Sequence, residues 1–376
     1  MGKATGRWFL GGTSRASGWR SRRTSQNATA SIEEGYVVSS LPVPPMSASC
    51  TRRGFVAAAA QAVAGVTFTG WASALRAAPG QPAADPDNFA SIDAHTHFYD
   101  PTRPEGVPWP PRGDKLLYRR VLPKDYRALP VPRPVTGTLV VEASPWVEDN
   151  QWVLDLAAKE PFIVGLVGSL PVGTKQFAGH LKRFASNKVF RGIRIRDRKL
   201  EGTLDDPAFV SDLKLLADYD LSLDLVGGTE ILPFANLLAK EVPALRIIID
   251  HLAGVVVDGK VPPAKWSQQM RVLAGRSKIY FKVSGLVEGT GRSDGSAPRE
   301  VEFYRPLLDA MREMFGCERL IYASNWPVSE RFASLATVQG IVQDYFGSHG
   351  RRAEEQVFSL SGKAAYRWVL QERPLR

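Results

Sequence analysis

Cysteine is scarce: the 376 residues contain two, Cys50 and Cys317. The first falls in a leader-like segment, so a body folded downstream of it keeps one thiol and no internal disulfide. Long apolar runs are also lacking. The most apolar stretch, from Phe55 to Phe68, is about 15 residues of Ala/Gly-rich sequence, where a membrane-spanning helix needs roughly 20 apolar residues. A basic stripe is absent from most of the chain. The first 80 residues carry Lys3, Arg7, Arg15, Arg20, Arg22, Arg23, Arg52, Arg53 and Arg76 against Glu33 and Glu34, a net of +7 out of a chain total of +10, which leaves +3 for the remainder. Nothing in that remainder concentrates Lys and Arg as a phosphate-backbone binder would, and nucleic acid is not an expected partner.

What is present first is a signal. Adjacent Arg52 and Arg53 precede the alanine-rich run, and Ala72-Ser73-Ala74 follows as an A-x-A cleavage site. The pattern over 46–78 reads as a twin-arginine export signal, implying a periplasmic protein; a membrane-anchoring helix is the alternative, disfavoured by length and composition. Residues 1–45 are rich in Ser, Arg and Gly without periodicity and precede Met46. Met46 reads as the initiator, and the segment before it as a misassigned start that is expected to be disordered.

From residue 90 to 372 short β-branched runs alternate with helical segments. Eight strands are expected, at 91–98, 137–144, 163–170, 190–196, 222–228, 246–253, 279–285 and 319–327, with helices such as 150–159 and 208–219 between them. Eight βα units over roughly 280 residues predict a single-domain (β/α)8 TIM barrel in the α/β class. The competing open, doubly wound sheet lacks its glycine-rich turn after the first strand. The Pro-, Arg- and Trp-containing insertion at 100–134 is too long for an ordinary connection and would form a lid over the mouth at the C-terminal ends of the strands.

In such a barrel the chemistry sits at that mouth. Strand one ends Asp93-Ala94-His95-Thr96-His97, and alternation along a strand puts His95 and His97 on one face, where two imidazoles can grip a metal or a carboxylate. Strand six ends in Asp250-His251, and strand eight in Ala323-Ser324-Asn325-Trp326-Pro327. Arg194 and Arg196 share a face of strand four, and Lys282 stands near the end of strand seven; facing the mouth they would clamp a carboxylate and steady an oxyanion, and facing the helices they would be salt-bridge partners. Glu142, near the end of strand two, is a candidate for a displaced base or substrate contact.

The ordered set His-x-His, Asp-His and Ser-Asn-Trp-Pro over 90–370, with Phe190-Arg191-Gly192-Ile193-Arg194 and Lys282-Val283-Ser284-Gly285-Leu286, resembles the amidohydrolase superfamily in its amidohydrolase-related branch. It is most like lactonases of sugar acids and of 2-pyrone-4,6-dicarboxylate. The resemblance implies that His95, His97, His251 and the strand-eight position surround a reacting carbonyl, with or without a divalent metal. Two departures stand out. The strand-eight acid is Asn325, which cannot accept a proton as a general base, and strand five offers no histidine to complete a metal set. A metal held through His95 and His97 would be zinc or manganese, weakly bound, or absent. The expected function is hydrolysis of a small lactone of an anionic sugar or aromatic acid, with His251 polarising the carbonyl or activating water and Arg194 holding the substrate. A metal-dependent aromatic-acid decarboxylase and a non-catalytic binding barrel are the competing readings.

Overall fold

The structure, a computed structural model, describes residues 89–196, 200 and 202–371. The expected signal segment and Met46 lie outside them. Eight parallel strands pair in chain order: β1 Ile92–Thr96, β2 Gly137–Val141, β3 Ile163–Gly168, β4 Phe190–Arg196, β5 Ser222–Val226, β6 Arg246–Ile249, β7 Ile279–Val283 and β8 Leu320–Tyr322. Helices α1 Pro123–Arg127, α2 Asp149–Ala157, α3 Phe177–Ala185, α4 Pro207–Asp218, α5 Ile231–Glu241, α6 Ala264–Ala274, α7 Val301–Phe315, α8 Leu335–Ser348, α9 Arg351–Glu355 and α10 Ser361–Tyr366 alternate with the strands or close the chain. The result is a (β/α)8 barrel. Its strands are nearly continuous apolar runs because both their faces are covered, by helices outside and by the packed lumen within. The helices turn one stripe inward: α4 starts on the Asp206 cap, with Pro207 in its first turn, and buries Phe209, Leu213 and Leu216.

Strand β8 is only three residues long, and the seam to β1 is completed beyond its end. The Asn325 amide donates to the His95 carbonyl at 2.9 Å, and the His97 amide to the Trp326 carbonyl at 2.9 Å. The barrel thus closes at the mouth, through the residues that the sequence marks for chemistry.

Strands β6 and β8 stop sooner than their apolar runs suggest. After Ile249 the chain enters a left-handed turn in which His251, Leu252 and Ala253 have φ between 51° and 56°, a conformation that costs non-glycine residues about 1–2 kcal/mol each. Asn325 is also left-handed, at φ 58°, as asparagine tolerates better than most. Strained backbone at two strand ends marks the mouth as the place where the fold departs from regularity.

The lumen is filled by Ile92, Ala94, Leu139, Val141, Val164, Val167, Ile248, Ile321 and Ala323, packed with Tyr366 and Trp368 from the C-terminal segment. That segment crosses the N-terminal end of the barrel, where the Val369 amide donates to the Val164 carbonyl at 3.2 Å and Arg246 Nε to the Ala365 carbonyl at 2.6 Å. At the opposite end the 100–134 segment folds back over the mouth. Tyr99 and Val121 bridge antiparallel, Tyr126 of α1 donates its hydroxyl to Asp93 at 2.8 Å, and Trp109 packs edge-on against His97 with ring centroids 5.5 Å apart.

Candidate active site

Strand β1 has a register irregularity between Asp93 and Thr96. Before it, the Asp93 carboxylate accepts from the Ser324 amide, the His95 amide and Tyr126, which pins β1 to the chain beyond β8. After it, the two histidines stand side by side, centroids 4.9 Å apart and perpendicular, and the His95 ring lies 4.5 Å from that of His251. Three of the expected residues therefore form one cluster. His251 is brought there by the left-handed turn after β6, against which Gly285 packs so tightly that a Cβ at 285 would come within 2.7 Å of the His251 Cβ.

All three rings are neutral at neutral pH. Burial holds His97 down to about 3, helped by the Arg194 charge, and holds His251 down to about 4 against the opposing pull of Asp250. Burial and then Lys282 hold His95 well below the usual histidine range. The tautomer of His97 follows from its partner: Nδ1 lies 2.6 Å from the Val141 carbonyl, which can only accept, so Nδ1 carries the hydrogen and Nε2 the lone pair. His251 Nδ1 pairs with Ser284 Oγ at 2.8 Å.

Lys282 lies beneath this cluster, fully buried. Its ammonium reaches Asp224 Oδ2 at 2.5 Å, Asp250 Oδ1 at 3.0 Å and His95 Nδ1 at 3.2 Å, while Tyr366 donates to the other Asp224 oxygen at 2.8 Å. An ammonium has three donors, and three acceptors surround this one. Lys282, expected to help clamp a substrate, is instead held within the lumen by two hydrogen bonds and an ion pair. Burial would raise Asp250, but Lys282 and His95 overcome it and hold the carboxyl well below its usual range.

Arg194 and Arg196 both face the mouth. Arg194 donates to the Glu142 carbonyl at 2.6 Å and Arg196 to the Ala143 carbonyl at 3.2 Å, and the charges of both depress His97 and His251. Glu142 is buried beneath the 100–134 segment. Its Oε1 accepts from the Ser144 amide at 2.7 Å, and burial pushes its pKa up to about 7.

Asn325 sits at the closing seam and donates its side-chain amide to Glu288 Oε1 at 2.9 Å. Glu288 belongs to the short turn Glu288–Thr290 after β7, and burial pushes it to about 7 as well. Sequence reasoning missed it: a single glutamate in a loop carries no periodic or spacing signal, and its only mark is that it follows a strand end at the mouth. Asp250 entered the sequence reading only within the Asp-His motif, without a role of its own, and Asp224 was given none.

For a metal, His95, Asp250 and His251 offer ligand atoms within 4.8 Å of one another, a different set from the expected His95 and His97. Among the described residues, His95 Nε2 and both carboxyl oxygens of Asp250 are buried without hydrogen-bond partners, so this donor set fits a divalent ion chemically. The adjacent Lys282 ammonium already places one positive charge against two of the three ligands and opposes a second cation.

The amidohydrolase family matches residues 92–347. An L-fucono-1,5-lactonase of Burkholderia ambifaria is 31% identical over 240 residues, covering 63% of this chain and 80% of its own length, and one of Burkholderia multivorans is 26% identical over 288 residues, covering 75% and 96%. A crystal structure described as an amidohydrolase from Burkholderia multivorans with bound zinc superposes with a TM-score of 0.67 at 24% identity, over 75% of this chain and 100% of that one.

Proposed function

Since the chain belongs to the amidohydrolase family and is a lactonase-like hydrolase, we propose that it opens the ring of a sugar-acid lactone, a 1,5-lactone above all. The observation that carries this reading is the mouth itself, where three neutral imidazoles meet two arginines. A lactone carbonyl needs polarisation and a place for its developing negative charge, not a strong nucleophile fixed to the protein. Because the Lys282 ammonium donates to His95 Nδ1, neutral His95 carries its hydrogen on Nε2, which has no protein partner and serves as a donor to the carbonyl oxygen. His97 Nε2, a lone pair, orients substrate hydroxyls or the attacking water. Arg194 and Arg196 stabilise the oxyanion and then the carboxylate product. Trp109, over His97, gives the sugar ring an apolar face and excludes water. A zinc or manganese ion held weakly by Asp250, His251 and His95 Nε2 would require that nitrogen to give up its hydrogen, and would supply Lewis-acid polarisation of the carbonyl in place of the His95 donor.

The test is acid release in a pH-stat from a panel of hexono-1,5- and 1,4-lactones, L-fucono-1,5-lactone included, with spontaneous opening subtracted. The expected outcome is catalysed opening, with Arg194→Met raising KM roughly tenfold, a loss of about 1.4 kcal/mol in binding. Absence of acid above background across the panel, or carbon dioxide release from aromatic acids instead, would overturn the reading.

A further inference from the structure

The histidines of the mouth are poor proton acceptors. At about 3 and 4, His97 and His251 release a proton far too readily to take one from water efficiently near neutral pH, where a base works best with a pKa close to the operating pH. Asn325 has no basic site at all. Lactone opening, the reading on which this step rests, still requires that the attacking water lose a proton. The side chain of Asn325 points to the group that takes it.

We propose that Glu288 is the general base of the reaction and that Asn325 is its positioning residue. The amide of Asn325 holds one carboxyl oxygen, Oε1, and fixes the carboxylate at the β8–β1 seam, beside the strand that carries His95 and His97. An aspartate at 325 could not do this, since an ionised carboxylate donates no hydrogen bond. The asparagine therefore has a use that only its amide supplies. Glu288 as a residue is half-buried, whereas Glu142, the other carboxyl near 7, lies buried under the 100–134 segment with Arg194 bound to its own backbone carbonyl. The titratable groups around Glu288 leave its role free. Tyr304 of α7 is held protonated by burial, with its hydroxyl on the Pro298 carbonyl and Arg292 and Glu300 acting on it; His95, across the seam, is neutral. Burial pushes the carboxyl up to about 7 against the lowering hydrogen bond from Asn325, into the range a neutral-pH base needs.

The step balances simply. Water adds to the lactone carbonyl as its proton passes to the Glu288 carboxylate; the ring C–O bond of the tetrahedral intermediate breaks, and the departing ring oxygen takes the proton from Glu288. The product is the open hydroxy acid.

The decisive variant is Glu288→Gln, assayed on the lactone that wild type opens fastest. We expect kcat to fall 10²- to 10⁴-fold with KM within threefold, and the rise of kcat/KM through pH 7 to vanish. In Glu288→Ala, added formate is expected to restore part of kcat by supplying the missing carboxylate, which a merely structural residue would not permit. Glu288→Gln/Asn325→Asp, which moves the acid across the hydrogen bond, is expected to regain at least tenfold over Glu288→Gln. Wild-type kcat in Glu288→Gln with an unchanged pH profile would overturn the assignment and leave the lactonase reading standing; a wild type inert toward every lactone would overturn both. Should the variants fail to fold, the wild-type profile decides: no ionisation of kcat/KM between pH 6 and 8 removes Glu288 from the role.

Discussion

The lumen layer and the mouth above it are both buried and both rich in ionisable groups, yet they are arranged in opposite ways. In the lumen, Lys282 donates to Asp224 and forms an ion pair with Asp250, Tyr366 donates to the other Asp224 oxygen, and Lys282 and His95 hold Asp250 well below the usual carboxylate range. At the mouth, buried Glu142 and half-buried Glu288 take hydrogen bonds from neutral amides and have no ion-pair partner among the described residues, and burial drives both toward 7. One cation does not fix both lumen acids: Lys282 and His95 hold Asp250 well below the usual carboxylate range, while burial still pushes Asp224 up to about 6, and the two mouth carboxyls, without an ammonium or guanidinium bonded to them, go to about 7. The first arrangement holds His95 through Lys282, and the second is the one that the proposed base would use.

The sharpest way to break this comparison is Lys282→Met. Removing the ammonium leaves two buried carboxylates facing each other across its place, and a loss of about 3–5 kcal/mol is expected, since breaking a buried pair leaves uncompensated charge. Urea denaturation at pH 7 measures it. Asp224→Asn/Asp250→Asn/Lys282→Met, with no charge left in the set, is expected to recover much of that loss. Unchanged stability in the single variant would mean that the lumen charges are not mutually dependent.

Glu142→Gln tests the mouth with the opposite sign. A carboxyl whose folded pKa is about 7 against an ordinary 4.5 keeps its proton in the folded state while the unfolded chain releases it, so wild-type stability falls as pH rises from 4.5 to 7 and stays low above that. The amide removes this penalty while its oxygen can still accept from Ser144. A gain of roughly 2–3 kcal/mol is expected at pH 8, and almost none at pH 4.5. The histidines run the other way: depressed to about 3 and 4, His97 and His251 contribute stability above pH 6.5 that is lost as pH falls toward those values. Equal effects of Glu142→Gln at both pH values would show that its carboxyl is not perturbed by burial.

Much of this was legible in the sequence because it rests on repetition. Eight apolar runs at regular spacing define the barrel, and their C-terminal ends pointed to His95, His97, His251 and Asn325, which the structure gathers at one mouth. Glu288, Asp224 and Asp250 were not legible as site residues because their importance comes from what lies across the barrel. Asp224 matters through Lys282, two strands away, and Glu288 through Asn325, on the far side of α7. Strand ends were misjudged for a related reason: the apolar run through Ile249 gives no sign that the next residues turn left-handed, which depends on how Gly285 admits His251.

The smallest expected effect belongs to Asn325→Asp. Aspartate also tolerates the left-handed backbone, so the fold is expected to change by about 0.5 kcal/mol or less. The new carboxyl replaces a donor facing Glu288 Oε1 with an acceptor, and two acids in that contact share one proton near neutral pH. Only as that proton leaves does the pair bring an added negative charge to the seam beside His95. Attraction for a dication at His95, Asp250 and His251 is therefore expected to rise by no more than about tenfold, and to rise at pH 8 but hardly at pH 6.5. Competition of zinc and manganese against a chelator, in wild type and variant at the two pH values, reads this directly. If wild type holds stoichiometric metal through chelator dialysis, neither the Lys282 ammonium nor the neutral amide weakens that site, and the contrast between a charge-satisfied lumen and a charge-poor mouth loses its bearing on metal binding.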